Sequence, residues 1–266
     1  LFRCLSKEKN SFLYDPAVTF GITINGQLSL LMLIEMLITR IPDIKLLQAN
    51  TDGVSIDHDE RYTDQIKAIF REWEAITKLQ LEEATYKSMV IKDVNNYIAI
   101  YDDPNKEAKK KGMFETTLDY HKNPSFLVIP KALEAYFVYG KDYKQYVYNH
   151  EDIFDFFAGV KKKSNFKLNL YKIIGGEVVK ESQQKVTRFF VSNNGGGQLF
   201  KEFTDNRKIN RTAIIAGYQI YPMNKVEIIN ALDPFYTQKL DYGYYIREIE
   251  KILFSIEKNK QQLILF

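Results

Sequence analysis

A chain of 266 residues in which 45% of the side chains are hydrophobic and 27% are charged is long enough to build one large domain or two modest ones around a real core. That composition excludes an intrinsically disordered chain, and a single cysteine excludes an intramolecular disulfide. The lone cysteine also agrees with a reducing compartment.

The net charge of +3 conceals an asymmetry between the two halves. Residues 1–130 carry 16 Lys and Arg against 19 Asp and Glu, whereas residues 131–266 carry 21 against 15, giving net charges of −3 and +6. This asymmetry favours a polyanion held by the second half and metal or nucleotide chemistry in the first. Two unrelated domain surfaces are the alternative explanation.

The first predicted element is a long helix over residues 17–40. Asp15 is a good capping residue, Pro16 suits the first helical turn, and Pro42 stops the helix. The pattern is apolar nearly all round through Leu28–Ile38, which predicts burial against a sheet.

The run Leu28–Ile38 is interrupted by Glu35, and taken alone it is too short to span a bilayer. No secretory signal is visible at the start, and no membrane partner is expected. Because the chain begins with Leu1 and enters at once what looks like the middle of a sequence, we expect a fragment.

Two short apolar runs within Lys45–Asp57 flank the tetrad Asn50-Thr51-Asp52-Gly53 and predict a β-hairpin. The Asp-Gly pair is expected to supply the positive φ that a tight hairpin needs. Asp52 would then lie at the tip, on a rigid support that suits a hard-cation ligand. An ordinary Asp-Gly turn is the alternative.

Helices and strands alternate through the rest of the chain, and they predict an α+β fold in which an antiparallel sheet backed by helices precedes a mainly helical domain. The expected domains are 1–130 and 131–266. The expected elements are a helix over Glu60–Glu74 with Ile66, Ile69, Phe70 and Trp73 on one face, a strand pair over Met89–Tyr101, helices over Lys131–Tyr139, Asn149–Phe157 and Tyr242–Glu257, a strand over Val186–Ser192, and a hairpin loop over Asn193–Gly197.

The order of these pieces resembles the C-terminal part of a family B DNA polymerase of the kind coded by tailed phages. That family carries an Asp-Thr-Asp motif, motif C, on a hairpin turn of its palm, and the second Asp binds the catalytic magnesium ions. The matching residues here are Asn50, Thr51 and Asp52, followed by Gly53. Asp52 falls on the metal-binding position, whereas Asn50 departs from the family's first Asp.

Other stretches fall where the resemblance requires them. The segment 1–16 is similar to the end of the fingers motif and the passage into the helix beneath the palm sheet. Asn95-Asn96-Tyr97 matches a Lys-x-Tyr strand that faces the primer-template backbone, with the lysine replaced, and 109–112 is similar to the basic turn that follows. Residues 127–140 and 185–201 resemble the thumb.

The resemblance implies a palm remainder over 1–130 and a thumb over 131–266, acting in template-directed nucleotidyl transfer by a two-magnesium mechanism in the cytoplasm of an infected bacterial host. Asp52 would be the catalytic residue and one Mg²⁺ ligand, and the partners would be primer-template DNA and deoxynucleoside triphosphates.

A second palm aspartate and a fingers lysine belong to motifs that are absent here, so we expect the chain by itself to bind DNA weakly and not to polymerise. The expected DNA contacts are Tyr97, Lys109, Lys111, Lys185 and Arg188, with Lys161, Lys162 and Lys163 as outer phosphate contacts.

The last residues form an apolar tail after a polar spacer. Gln262, Leu263, Leu265 and Phe266 stand in a segment that resembles the Gln-Leu-x-Leu-Phe peptide with which bacterial replication proteins dock on the sliding clamp. A tail packed on the thumb is the alternative.

Two other classes of protein remain open. A non-catalytic DNA-binding or virion-associated protein would keep the polymerase fold without the chemistry. A reverse transcriptase is a weaker third, since its palm hairpin usually carries two adjacent acidic residues and Asp52 is followed by Gly53.

Overall fold

The computed structural model describes residues 15–117, 125–164, 166–203, 217–219, 225–229 and 236–263. The chain divides between Thr85 and Tyr86 into two compact units. The predicted palm–thumb boundary at 130/131 lies within the second unit, where Pro130 belongs to a helix.

Among its described residues, the first unit contains two helices and one hairpin. Its elements are α1 (Pro16–Arg40), β1 (Lys45–Ala49), β2 (Val54–Asp57), a 3₁₀ turn (Glu60–Tyr62) and α2 (Thr63–Thr77). Asp15 caps α1 by accepting hydrogen bonds from the amides of Ala17 and Val18, as predicted. The expected β-hairpin is also confirmed, since β1 and β2 pair antiparallel.

The core of the first unit lies between the C-terminal half of α1 and one face of α2. Leu33 and Leu37 are buried against Ile66, Ile69 and Trp73, the residues whose helical spacing predicts this face. The indole nitrogen of Trp73 also donates a hydrogen bond of 2.7 Å to the Ser29 carbonyl. This bond fixes α2 against the middle of α1.

Most side chains in the N-terminal half of α1 are not buried, so the prediction of burial along the whole helix is wrong. Phe20, Ile22 and Leu28 each leave more than half of their surface exposed. Among the described residues, α1 is the one helix long and apolar enough to cross a membrane by length and composition. The run Leu28–Ile38, taken alone too short to span a bilayer, is therefore part of a longer apolar helix, Pro16–Arg40.

The second unit contains three antiparallel sheets and four helices among the described residues. Its strands are β3 (Tyr86–Asp93), β4 (Asn96–Tyr101), β5 (Lys109–Lys111), β6 (Ala158–Lys161), β7 (Phe166–Ile174), β8 (Glu177–Gln183), β9 (Val186–Val191), β10 (Gln198–Phe203), β11 (Gly217–Gln219) and β12 (Val226–Ile229). Its helices are α3 (Val128–Tyr139), α4 (Tyr143–Tyr148), α5 (Tyr236–Lys239) and α6 (Tyr242–Leu263), with 3₁₀ turns over Gly112–Phe114 and Ile153–Phe156.

The strand orders in these sheets are β3-β4-β5, β12-β9-β6 and β11-β10-β7-β8. Their inner faces share one core with α3 and α6, in which Leu133, Phe156, Phe189 and Tyr245 are buried. The Tyr245 hydroxyl donates a 2.8 Å hydrogen bond to the Phe156 carbonyl, so its polar end is satisfied. The predicted α+β class is confirmed.

Three details of the sequence prediction are wrong. The segment Asn149–Phe157 forms a 3₁₀ turn after α4 rather than a helix. The loop Asn193–Gly197 joins strands of two different sheets and is not a hairpin loop. The segment after residue 130, expected to be mainly helical, contains seven described strands.

Gly112 provides a test of backbone packing, because it has a φ of +63° and neighbouring atoms leave no room for a Cβ. A Cβ there would overlap the Asn95 carbonyl and the Asn96 side chain, whereas Gly140, with a φ of +64°, faces open space. We expect Gly112→Ala to lower the free energy of unfolding by about 3 kcal/mol and Gly140→Ala by about 1 kcal/mol, measured by urea unfolding. Equal losses would contradict the tight packing at Gly112.

Candidate nucleic-acid interface

Asp52 lies in the connection between β1 and β2, at the hairpin tip as predicted. The Asn50 amide donates to the Gly53 carbonyl at 2.9 Å, and the Asn50 side-chain oxygen accepts from the Asp52 amide at 3.1 Å. The side chain of Asn50 thus shapes the turn. Gly53 does not adopt a positive φ, so the predicted Asp-Gly geometry is wrong although the hairpin itself forms.

Asp52 is exposed, and its surroundings bear on the expected magnesium site. Two nearby carboxylates have other roles: Asp57 lies 3.9 Å from the Lys45 ammonium, and Asp59 caps the following turn through the Arg61 amide. Within the described part of the chain, no group of three His, Cys, Asp or Glu residues could hold a metal ion. The described residues therefore do not complete a magnesium site around Asp52.

A different constellation lies on the sheet β3-β4-β5 of the second unit. Tyr97 faces Lys111 in the register of β4 and β5, and Ala99 faces Lys109. Because directly opposed residues share a face of a sheet, Lys109, Lys111 and Tyr97 lie on one face. The sequence prediction that named these three residues therefore selected one side of one sheet.

Two further tyrosines join this face. The rings of Tyr86 and Tyr101 lie 4.9 Å apart between centroids, and the Lys106 ammonium lies 5.3 Å from the centre of the Tyr101 ring. We refer to Tyr86, Tyr97, Tyr101, Lys109 and Lys111 as the tyrosine–lysine face. Sequence reasoning missed Tyr86 and Tyr101, although the period of two from Tyr97 pointed to the second of them.

Lys109 is the centre of the tyrosine–lysine face. Burial works to lower the pKa of Lys109, but the neighbouring hydroxyls of Tyr86, Tyr97 and Tyr101 outweigh it and leave the pKa raised. Burial and the hydrogen bond with Tyr101 raise the pKa of Tyr86, against the opposing effect of Lys109. At neutral pH the face therefore presents the charged Lys109 ammonium beside the neutral Tyr86 phenol.

Lys110 belongs to the opposite face. Its ammonium lies 2.6 Å from the Glu134 carboxylate on α3, and both side chains are largely buried. The turn beyond β5 is held by Asn96, whose side-chain oxygen accepts from the Met113 amide at 2.7 Å. These contacts fix β5, so that Lys109 and Lys111 are presented on a rigid strand.

A second basic surface lies on the sheet β12-β9-β6. Lys161 faces Val186 and Gly159 faces Arg188, which places Lys161 and Arg188 diagonally on one exposed face. Lys185 is exposed just before β9. Within the described residues these three side chains make no ion pair, so their charges are free to meet an anion.

The expected site residues are therefore distributed over three places. Asp52 belongs to the first unit, whereas the tyrosine–lysine face and the Arg188 surface belong to the second. Leu265 and Phe266 of the tail lie outside the described residues, and Gln262 and Leu263 fall in the last turn of α6. The comparisons with protein-family models, with curated proteins and with solved structures found no match to this chain.

Proposed function

We propose that this chain is the DNA-holding part of a family B DNA-dependent DNA polymerase, comprising palm residues around Asp52 and a thumb. The observation that carries the proposal is the tyrosine–lysine face, where two ammonium groups and three phenols lie on one side of a rigid sheet. Phosphate oxygens accept hydrogen bonds from both kinds of group, and lysines supply the attraction to a polyanion.

Each group on this face has a distinct role in the proposal. The exposed Lys111 ammonium meets a phosphate of the backbone, and Lys109, held among the tyrosines, meets a neighbouring phosphate with little loss of side-chain freedom. The Tyr97 hydroxyl donates to a phosphate or sugar oxygen. Such contacts position a duplex without reading its sequence.

The second basic surface extends this grip. Lys161, Lys185 and Arg188 carry charges that no described carboxylate neutralises, and the half of the chain that contains them has a net charge of +6. They would hold phosphates farther along the primer-template. The cytoplasm of an infected bacterium is the compartment that this function implies.

Asp52 is the residue that we assign to the reaction centre of the complete enzyme. Magnesium, when bound, would polarise the phosphoryl group and stabilise the charge that develops during nucleotidyl transfer. Asp52 contributes one carboxylate at a hairpin tip, where the Asn50 side chain supports the turn. The deoxynucleoside triphosphate would be held by residues outside the described set together with that ion.

The test is titration of a fluorescent primer-template with the 266-residue chain at several salt concentrations. We expect binding that depends far more on salt than on sequence and weakens as salt increases, with a log–log slope of about −0.9 for each phosphate neutralised. Binding that is independent of salt, or no binding at 50 mM salt, would overturn the proposal.

Primer extension gives the second expected outcome. We expect no magnesium-dependent extension by this chain alone, because the described residues contain no group of three metal-ligating side chains to which Asp52 could belong. Asp52→Asn should leave DNA affinity unchanged within about twofold, since Asp52 makes no phosphate contact. Extension by the wild-type chain that Asp52→Asn abolishes would show that the chain is a complete catalyst.

The lone carboxylate also favours a second candidate, a non-catalytic DNA-binding or virion-associated protein. Both candidates bind DNA through the tyrosine–lysine face. They differ in whether Asp52→Asn abolishes extension once the chain is combined with the upstream polymerase motifs.

A further inference from the structure

Strands β7 and β8 form a two-stranded ribbon that projects beyond its sheet. The third strand, β10, pairs with β7 only as far as Tyr171, which faces Gln198. Three further pairs, from Lys172–Val179 to Ile174–Glu177, extend past that point without a third strand among the described residues. Gly175 and Gly176 close the ribbon with φ values of +61° and +88°, as a tight hairpin turn requires.

The tip of this ribbon is apolar and exposed. Ile173 and Val178 face one another across the strands, and their exposed fractions are 72% and 69%. Ile174 and Val179 on the other face are also exposed. A soluble protein normally buries such a cluster, so this tip is a candidate contact surface.

The exposed basic residues of this segment are concentrated at the base of the ribbon, whereas Glu177 lies near its tip, opposite Ile174. Residues 158–191, which include β6 to β9, contain eight Lys and Arg and two Glu, a net charge of +6. Both glutamates of this segment lie on β8, and Glu181 is already paired with Lys172 at 3.0 Å. Positive charge therefore exceeds negative charge at the base of the ribbon, and this charge attracts a polyanion. The exposed lysines there are Lys161, Lys163, Lys167 and Lys185.

We propose that the ribbon enters the major groove of a DNA duplex and that Ile173 and Val178 contact the base edges there, while the lysines at its base hold the phosphates. This inference rests on the proposed function, since it adds an apolar contact to the same DNA. The occupant is DNA because the segment that carries the apolar tip has a net charge of +6, concentrated at the base of the ribbon.

The dimensions fit this arrangement. Ile173 lies six positions after Lys167 on β7, about 20 Å at 3.3 Å per residue, so a ribbon that lies along the groove places its basal lysines against flanking phosphates about 20 Å from the apolar contact. The major groove is about 12 Å wide and admits a two-stranded ribbon, whereas the minor groove of about 6 Å does not unless it is widened. Apolar side chains in the major groove contact the methyl group of thymine.

The experiment compares the wild-type chain with the double variant Ile173→Ser/Val178→Ser on a labelled 20-bp duplex. The variant should bind about tenfold more weakly at every salt concentration with an unchanged salt slope, because no charge is removed. Phe254→Ser removes an apolar side chain of similar exposure from α6 and should bind like the wild type. Circular dichroism would verify that each variant is folded.

A second duplex, with uracil in place of thymine, tests whether the ribbon contacts thymine methyl groups in the major groove. Loss of the methyl groups should weaken wild-type binding about threefold and leave the double variant unaffected. Wild-type binding that is equal on both duplexes would overturn the major-groove contact.

One other result would overturn the proposal while leaving the proposed function intact, namely a double variant that binds the duplex as tightly as the wild-type chain does. If that variant in addition no longer co-sediments with vesicles of phosphatidylcholine and phosphatidylserine, the tip is assigned to a membrane. Absence of wild-type binding to any duplex would count instead against the proposed function.

Discussion

Asp155→Ala is expected to lower the free energy of unfolding by about 3 to 5 kcal/mol, the largest loss that we predict for a single substitution. The Asp155 side chain is 5% exposed, and one of its oxygens accepts hydrogen bonds from the Lys131 ammonium and the His150 ring, each at 2.5 Å. Removing the carboxylate leaves two polar groups without their partner inside the second unit.

The matched control is Asp152→Ala, three residues earlier in the same segment. Asp152 is exposed and caps the 3₁₀ turn through the Phe154 amide at 3.0 Å, so its loss should cost about 1 kcal/mol. Urea unfolding of both variants provides the comparison. If the Asp155 variant loses no more than its control, the buried cluster does not stabilise the fold.

The same cluster gives a pH dependence whose sign follows from the pKa of Asp155. Burial works to raise that pKa, but hydrogen bonds from His150 and Lys131 outweigh it and hold the pKa below its usual range. The stabilisation is therefore present above the unfolded-state pKa of about 3.9 and is lost as the pH falls through the lower folded value. Unfolding at pH 7 and pH 3 should show a smaller difference between wild type and Asp155→Asn at the lower pH.

This cluster also marks a limit of sequence reasoning. The apolar residues of Asn149–Phe157 are compatible with a helix, but Asp152 caps a 3₁₀ turn and His150 is bonded to Asp155. Side-chain hydrogen bonds of this kind compete with the backbone hydrogen bonds of a helix, and the spacing of hydrophobic residues does not reveal them. Capping residues were informative where they preceded a long apolar run, as Asp15 does for α1.

The residues Lys109 and Lys111 were named by a resemblance that expects a basic turn over 109–112, whereas the structure forms strand β5 over Lys109–Lys111. Side chains alternate along that strand, so Lys109 and Lys111 share a face and Lys110 points to the other, where Glu134 meets it. The face on which Tyr86 lies could not be predicted from alternation, since an irregularity between Tyr86 and Ser88 shifts the register of the pairing. A bulge is a property of the pairing, which one strand's sequence does not contain.

Helix α1 illustrates a further limit, between composition and environment. Its sequence predicts an apolar helix correctly, and its C-terminal half packs against Trp73 and its neighbours. Hydropathy does not determine which part of such a helix is buried by other elements. In the N-terminal half, Phe20 is 66% exposed. The apolar pattern fixed the kind of element but not its degree of burial.

Lys109→Ala/Lys111→Ala is expected to weaken binding of a primer-template about 10- to 100-fold at 50 mM salt and to make the log–log salt slope shallower by about 2. The physical reason is that two ammonium groups on one face of β5 each neutralise a phosphate and release counterions. Titrations between 50 and 200 mM salt would measure both quantities.

The control for this double variant removes two positive charges of the same unit that lie outside its sheets. Lys141 follows α3 and Lys251 lies on α6, both exposed and neither on the sheet β3-β4-β5, so Lys141→Ala/Lys251→Ala should change the slope by less than about 0.5. Equal slopes for the two double variants would mean that net charge, not the tyrosine–lysine face, attracts DNA. A shallower slope in the Lys109/Lys111 variant alone would assign the phosphate contacts to that face, because long-range attraction depends on total charge whereas counterion release depends on where the charges meet the backbone.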